Sequence, residues 1–262
     1  MMATWRQPVR RTLQIWQEIH EETTNRGDRE RRTLDYRPIV VFLLVAVSLT
    51  LQEYYGDRGY FRGLALLPQS IRTGANWELW SYVWWCGWRV FGFLVMPLVA
   101  VLLMPGEHLR DYGWSFAGFT KHIRLYLLLY LAVLPLVYLV SRTPEFRRIY
   151  PFYRLAHRSV FDFWVWELMY AAQFVSLEFF FRGFMLQATK STLGVYSIFA
   201  MVVPYCMIHY GKTFIECLAA IVAGTVLGTI ALRTRSIWGG IFVHVAVAWT
   251  MDFMTVGYLP KP

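Results

Sequence analysis

Glu178 and Arg182 place a carboxylate and a guanidinium four residues apart within a strongly apolar run. On a helix this spacing puts both groups on one face, where they can pair. Charge is costly in hydrocarbon, so ionisable residues inside membrane segments are candidates for function. Pairing with Arg182 would keep Glu178 ionised despite desolvation, and an ionised carboxylate can serve as a general base towards water. The alternative is an ion pair that only joins helices.

Two histidines follow on later apolar segments of the chain. His209 ends the apolar residues 198–208 and precedes Tyr210 and Gly211, so a position at a helix end competes with a catalytic one. His244 lies among valines and alanines in the middle of its segment. An imidazole buried in such surroundings needs a polar partner. One glutamate and two histidines on three separate segments can converge on one polar site.

Two further acidic residues are candidates for a supporting role at this site. Glu216 follows His209 by seven residues and would share its face if one helix continued through Gly211. Asp252 follows His244 by two helical turns on the same apolar segment. Both are predicted as supporting residues beside Arg182.

The composition indicates a membrane protein. The chain of 262 residues is 56% hydrophobic, and only 16% of it is charged, whereas soluble domains carry about 25% charged residues. The net charge of +9 is interpreted as attraction to anionic lipid, and no nucleic-acid partner is predicted. Three cysteines without paired spacing indicate neither a disulfide framework nor a zinc knuckle.

The apolar pattern predicts an all-α, polytopic bundle of about seven or eight transmembrane helices. A spanning helix needs about 20 residues. The predicted spans are residues 38–52, 79–104, 123–141, 160–187, 193–209, 214–232 and 236–254. The first span is short for a membrane crossing, and the second and fourth are long. Residues 1–37 are predicted as a polar, amphipathic, cytoplasmic region, and residues 38–262 as one membrane domain. Gly224 and Gly228 form a G-x-x-x-G pair, which predicts close helix packing.

The three segments resemble those of the CAAX-protease and bacteriocin-processing family of intramembrane glutamic endopeptidases. The family pattern is Glu-Glu-x-x-x-Arg, then Phe/Tyr-x-x-x-His, then His-x-x-x-Asn/Asp. The matches are Glu178 with Arg182, Tyr205 with His209, and His244. They lie within residues 160–254, and residues 109–114 are similar to the family's interfacial segment. The first family glutamate falls on Leu177 and the last Asn/Asp on Ala248.

The resemblance implies a mechanism and its residues. Glu178 with His209 would activate water, His244 would stabilise the oxyanion, and Arg182 would orient the carboxylate. The implied substrate is a membrane-associated peptide or protein, which includes a prenylated C-terminus. No cofactor is predicted. Zinc is the alternative, because two histidines and one glutamate form a common catalytic zinc set, although no H-E-x-x-H motif is present.

Two other classes of protein are alternatives to the peptidase. A non-catalytic membrane scaffold, or an immunity-type protein of the same fold, is favoured by the apolar residues Leu177 and Ala248. A transporter is disfavoured, because no internal inverted repeat is detectable. Integral, multi-pass insertion is expected, with the cell (inner) membrane as the location in a bacterial host.

Overall fold

The computed structural model describes residues 6–24 and 35–258, and in this part the secondary structure is helical, with one isolated bridge between Trp114 and Ser236. This confirms the all-α prediction. The principal helices, in chain order, are α1 (Arg6–Thr24), α2 (Arg37–Tyr54), α3 (Trp77–Leu103), α4 (Ile123–Ser141), α5 (Val160–Glu178), α6 (Leu186–Leu193), α7 (Tyr196–Met207), α8 (Phe214–Thr234) and α9 (Trp238–Val256).

Short elements lie between the principal helices. One π turn, Phe91–Val95, interrupts α3, and a longer π-helix, Phe179–Met185, joins α5 to α6 and is called the π segment. The single-turn helices and one 3-10 helix of the loops are Arg58–Gly63, Gln69–Arg72, Leu109–Tyr112, Phe116–Lys121 and Pro144–Ile149.

Five of the described helices are long and apolar enough to cross a membrane: α2, α3, α4, α8 and α9. Helix α7 has only 12 residues, which corresponds to about 18 Å. Helix α5 carries three carboxylates, at Asp162, Glu167 and Glu178, and is not among these five helices. The chain is an integral membrane protein, and a total of seven or eight spans stays a prediction.

The π segment lies at the centre of the bundle. All seven of its residues are buried, from Phe179 to Met185, and its phenylalanines and Met185 pack with residues of α2, α3 and α7 in the main apolar core. A π-helix closes wider turns than an α-helix and often occurs at functional sites. Glu178 is the last residue of α5 before this change of geometry.

The helices that carry the predicted site residues pack against one another. Helix α9 packs between α4 and α5, and α7 packs along α8. Gly224 allows this second contact, because a Cβ at that position would lie only 3.0 Å from Cδ1 of Tyr205. The close packing predicted from Gly224 and Gly228 is thus present.

The division into a polar N-terminal region and one membrane domain stays a prediction. Residues 6–24 form an amphipathic helix, α1, in which Trp16 donates a hydrogen bond to Thr229 on α8 at 3.1 Å. Trp5 and the charged stretch from Arg26 to Arg32 lie outside the described residues. The three cysteines are free thiols.

Candidate active site

Glu178 and Arg182 form a fully buried ion pair across the start of the π segment. Both side chains are 0% exposed, and Nη1 of Arg182 lies 3.1 Å from Oε1 of Glu178. An arginine in a protein is always charged, so the pair needs an ionised carboxylate to be neutral. A buried charge without a partner costs several kcal/mol, and this cost fixes the two side chains together.

His244 joins the pair from α9. Its Nδ1 lies 2.6 Å from Oε1 of Glu178, and 16% of its side chain is exposed. The ring also stacks on Phe174 of α5, with centroids 5.4 Å apart and an interplanar angle of 6°. The structure therefore brings together Glu178, Arg182 and His244, which are three of the residues predicted from the sequence.

Tyr205 of α7 connects the two histidines. Its hydroxyl lies 2.9 Å from Nε2 of His244. Its carbonyl oxygen accepts a hydrogen bond from Nδ1 of His209 at 2.8 Å, and the Tyr205 and His209 rings are 4.9 Å apart between centroids. The Arg182 guanidinium also lies over the Tyr205 ring, with its Cζ atom 4.0 Å from the ring centroid.

These contacts indicate where the protons of both imidazoles lie. A carboxylate only accepts hydrogen bonds, so we place a proton on Nδ1 of His244, although its 2.6 Å contact with Glu178 is not aligned as a hydrogen bond. A neutral His244 ring keeps the cluster with Glu178 and Arg182 uncharged overall, and Nε2 then accepts from the Tyr205 hydroxyl. A carbonyl oxygen likewise only accepts, so Nδ1 of His209 is protonated and its Nε2 is the basic nitrogen.

Gly240 of α9 makes room for the carboxylate. A Cβ at this position would overlap Oε2 of Glu178 and lie 2.7 Å from its Cδ. Neither Glu178 oxygen makes an aligned hydrogen bond in the described part of the chain. The carboxylate is therefore held by charge and by enclosure between α5 and α9.

The two departures from the family pattern lie in apolar surroundings. Leu177, at 4% exposed, belongs to the main apolar core. Ala248, at 3% exposed, belongs to a second cluster with the aromatic residues Tyr82, Tyr153, Trp166 and Tyr170. Neither position supplies a polar group to the site.

Glu216 has a structural arrangement of its own. It forms a capping box with Thr213 at the start of α8 and accepts a hydrogen bond from the Tyr150 hydroxyl at 2.5 Å. In the described residues it makes no ion pair with either histidine. No such contact therefore supports the role predicted for Glu216 at the site.

Asp252 lies on α9 in a separate buried position. It is 0% exposed and accepts a hydrogen bond from Nε1 of Trp166 at 2.6 Å, while its Oδ1 makes no hydrogen bond in the described part. The carboxylate of Glu167, on the facing side of α5, is also fully buried. These acids form a second polar spot, apart from Glu178.

Sequence reasoning placed Tyr205 only as a motif residue and omitted Gly240. Tyr205 and His244 are 39 positions apart, and their contact depends on how α7 and α9 pack. The apolar setting of Tyr205 gave no signal of a polar contact. For Gly240, the pair Gly239-Gly240 at the start of an apolar helix was the available signal, since small residues mark close helix approach.

The fold and this site define a helical membrane protein with a buried glutamate–histidine centre. Residues 159–250 match the Rce1-like family of type II CAAX prenyl endopeptidases. The match includes Glu178, His209 and His244 and confirms the resemblance to the CAAX proteases. No curated protein and no solved structure matches the chain.

Proposed function

We propose that the chain is a membrane-embedded endopeptidase that hydrolyses a peptide bond of a membrane-associated substrate, with prenylated C-termini as the first class to test. The observation that carries this proposal is the chain of contacts from Glu178 through His244 to Tyr205, inside the segment that matches a peptidase family. A bacterial host would place the protein in the cell membrane.

Glu178 and His244 act as the acid–base pair of the reaction. The carboxylate orients His244 through the 2.6 Å contact to Nδ1 and stabilises the imidazolium that forms when Nε2 takes a proton from water. His209 offers its Nε2 as a second acceptor that positions this water. Arg182 keeps Glu178 ionised by its charge. His244 thus takes over the proton-accepting role that the resemblance implies for His209, and His209 only positions the water.

We propose a reaction without a metal ion. Nδ1 of His209 is engaged by the Tyr205 carbonyl, and both ring nitrogens of His244 have protein partners. In the described residues no group of three or more His, Cys, Asp or Glu side chains is arranged to hold a metal. A zinc ion bound to Nε2 of His244 would have to displace the Tyr205 hydroxyl.

A scaffold without catalysis is the second candidate function. The complete enclosure of Glu178, at 0% exposed, and the apolar residues Leu177 and Ala248 favour it. In that case the ion pair would only join α5 to α9, and the histidines would serve packing.

Cleavage of an internally quenched, farnesylated peptide ending in a C-a-a-X sequence, by the full chain in proteoliposomes, tests the proposal. We expect the wild type to cleave it, and Glu178→Gln and His244→Ala to lower kcat at least about a hundredfold, since acid–base catalysis contributes 10²–10⁴. His209→Ala should be impaired as well. His108→Ala is the matched control, because His108 is an exposed histidine of a loop.

Several outcomes would contradict the proposal. Activity that survives all three changes would remove the assigned site, and inactivation by a chelator with recovery on zinc would overturn the metal-free reaction. Cleavage that appears only in the double variant Leu177→Glu/Ala248→Asn would show that the natural chain is a scaffold.

A further inference from the structure

The missing donor of the last motif leaves a chemical requirement unmet. A tetrahedral intermediate needs hydrogen-bond donors aimed at its oxygen, and each such donor contributes about 10²–10³ to kcat. Ala248, one helical turn after His244, has no donor and packs among aromatic rings. The oxyanion of the proposed reaction must therefore find its donor on another helix.

Tyr205 presents an O–H group at the required place. The hydroxyl is bound to Nε2 of His244 at 2.9 Å, which is the nitrogen that accepts the proton of water in the proposed reaction. Tyr205 is only 1% exposed, and its ring is held between Arg182, whose Cζ is 4.0 Å from the ring centroid, and Phe181, whose ring centroid is 5.2 Å away. The hydroxyl can rotate about its C–O bond while the ring stays fixed.

We propose that the Tyr205 hydroxyl is the oxyanion donor of this chain, supplying from α7 the hydrogen bond that Ala248 cannot supply from α9. This inference rests on the proposed peptidase function. Rotation of the Tyr205 hydroxyl has a second consequence. When the hydroxyl turns to the substrate oxygen, Nε2 of His244 becomes free to accept a proton.

The steps balance as follows. The oxygen of water bonds to the scissile carbon while its proton passes to Nε2 of His244, and the carbonyl electrons move to the oxygen, which accepts the Tyr205 O–H. The imidazolium, held by Glu178, then gives its proton to the amine nitrogen as the C–N bond breaks. The carbonyl reforms, and the Tyr205 hydroxyl returns to Nε2.

The charge around Tyr205 suits this role. The Arg182 guanidinium lies against the ring face, where its positive charge favours the polarisation of the O–H bond as the oxyanion develops. Gly224 of α8 leaves room for the Tyr205 ring, since a Cβ at position 224 would lie 3.0 Å from Cδ1 of Tyr205. Packing thus holds the ring of Tyr205 in place, while its hydroxyl is left as the polar group.

Tyr205→Phe in the full chain, assayed in proteoliposomes on the farnesylated peptide, tests the inference. This change removes only the hydroxyl and keeps the ring contacts with Arg182 and Phe181. We expect kcat to fall about 10²–10³-fold with KM changed less than about threefold, because the donor acts on the transition state. The matched control is Tyr196→Phe, an exposed tyrosine at the start of the same helix.

Two further measurements separate catalysis from folding. In the Tyr205→Phe background, Ala248→Asn should raise kcat at least about tenfold, because it offers a donor from the family position. ¹⁵N spectra of histidine-labelled protein should show a shifted Nε2 resonance of His244 in Tyr205→Phe at an unchanged melting temperature.

Each result decides for or against the inference. A wild type that cleaves while Tyr205→Phe retains kcat within about threefold overturns the donor role and leaves the proposed peptidase standing. A loss confined to KM or to the melting temperature also overturns it. A wild type that cleaves neither the farnesylated peptide nor its unprenylated form overturns both proposals.

Discussion

At the scale of the residue, the chain keeps a fully buried ion pair at the centre of the bundle. Glu178 and Arg182 are both 0% exposed, and such a pair contributes little net stability because desolvation offsets attraction. Removal of one partner is far more costly than removal of both. A chain that keeps this arrangement in a fully buried segment gains directed polar groups from it, which the proposed catalysis needs and packing does not.

Gly240→Ala tests how closely the carboxylate is confined. The new methyl group would overlap Oε2 of Glu178, and the carboxylate cannot yield without lengthening its contacts to Arg182 and His244. We expect the free energy of unfolding to fall by about 1–3 kcal/mol, as for other overpacked sites, and kcat to fall more than about tenfold. Thermal unfolding and peptide cleavage measure these effects.

Gly87→Ala is the matched control, because a Cβ there meets nothing within 4 Å. Alanine is favoured over glycine in a helix by about 1 kcal/mol, so Gly87→Ala should be neutral or slightly stabilising. If Gly240→Ala behaved in the same way, the enclosure of Glu178 by α9 would be refuted.

At the scale of the element, one polar contact joins the start of α2 to the end of α6. Asp35 accepts hydrogen bonds from Nε of Arg37 at 2.8 Å and from the Thr192 hydroxyl at 2.7 Å. The hydrogen bond from Arg37 is the main cause that lowers the pKa of Asp35 from 3.8 to about 2. Because α5, the π segment and α6 follow one another without a break, this contact holds the far end of the helical stretch that carries Glu178 and Arg182.

The lowered pKa predicts a pH-dependent contribution to stability. A carboxylate with a depressed pKa stabilises the folded state fully above its unfolded pKa, and the contribution is lost as the pH falls through the folded pKa. Asp35→Asn should therefore lower the free energy of unfolding at pH 6 by on the order of 1 kcal/mol for a partly exposed pair, and with it the melting temperature. The difference from wild type should shrink between about pH 4 and pH 2.

Asp111→Asn serves as the control for this experiment, since Asp111 is an exposed acid of another loop. It should leave the melting temperature unchanged at every pH. A gap between Asp35→Asn and wild type that persisted at pH 2 would show that the ionised carboxylate is not the source of the effect.

Sequence reasoning recovered the elements whose cause is local. The pairing of Glu178 with Arg182 follows from helical spacing, and the need of His244 for a polar partner follows from its apolar neighbours. Glu216 was interpreted as a supporting residue, although Thr213-x-x-Glu216 before an apolar run is the local signature of a capping box. The contact between Asp252 and Trp166 crosses two helices, so no local pattern carries it. The π segment also has no sequence period of its own.

At the scale of the whole molecule, contacts among loops and helix ends divide the connecting segments into two groups, one at each end of the bundle. At one end, Arg233 pairs with Glu18 at 2.8 Å, and Trp114 bridges Ser236. At the other end, the Tyr150 hydroxyl binds Glu216, and Nη2 of Arg158 binds Asn76 at 2.6 Å. Seven alternating crossings predict this same grouping, with the short helix α7 as one of the seven.

Single cysteines, introduced after the three native ones are changed to serine, test the crossing of α7. Lys121 and Glu145 lie in loops at the two ends of α4, and Tyr210 follows α7 with 67% of its surface exposed. With a membrane-impermeant thiol reagent on sealed vesicles, Lys121→Cys and Glu145→Cys should label from opposite sides, because α4 is long and apolar enough to span. Tyr210→Cys should label from the side of Glu145→Cys. Labelling from the side of Lys121→Cys would mean that α7, at about 18 Å, turns back within the bilayer. The end of the site that carries His209 would then open on the side of the membrane where the N-terminus lies.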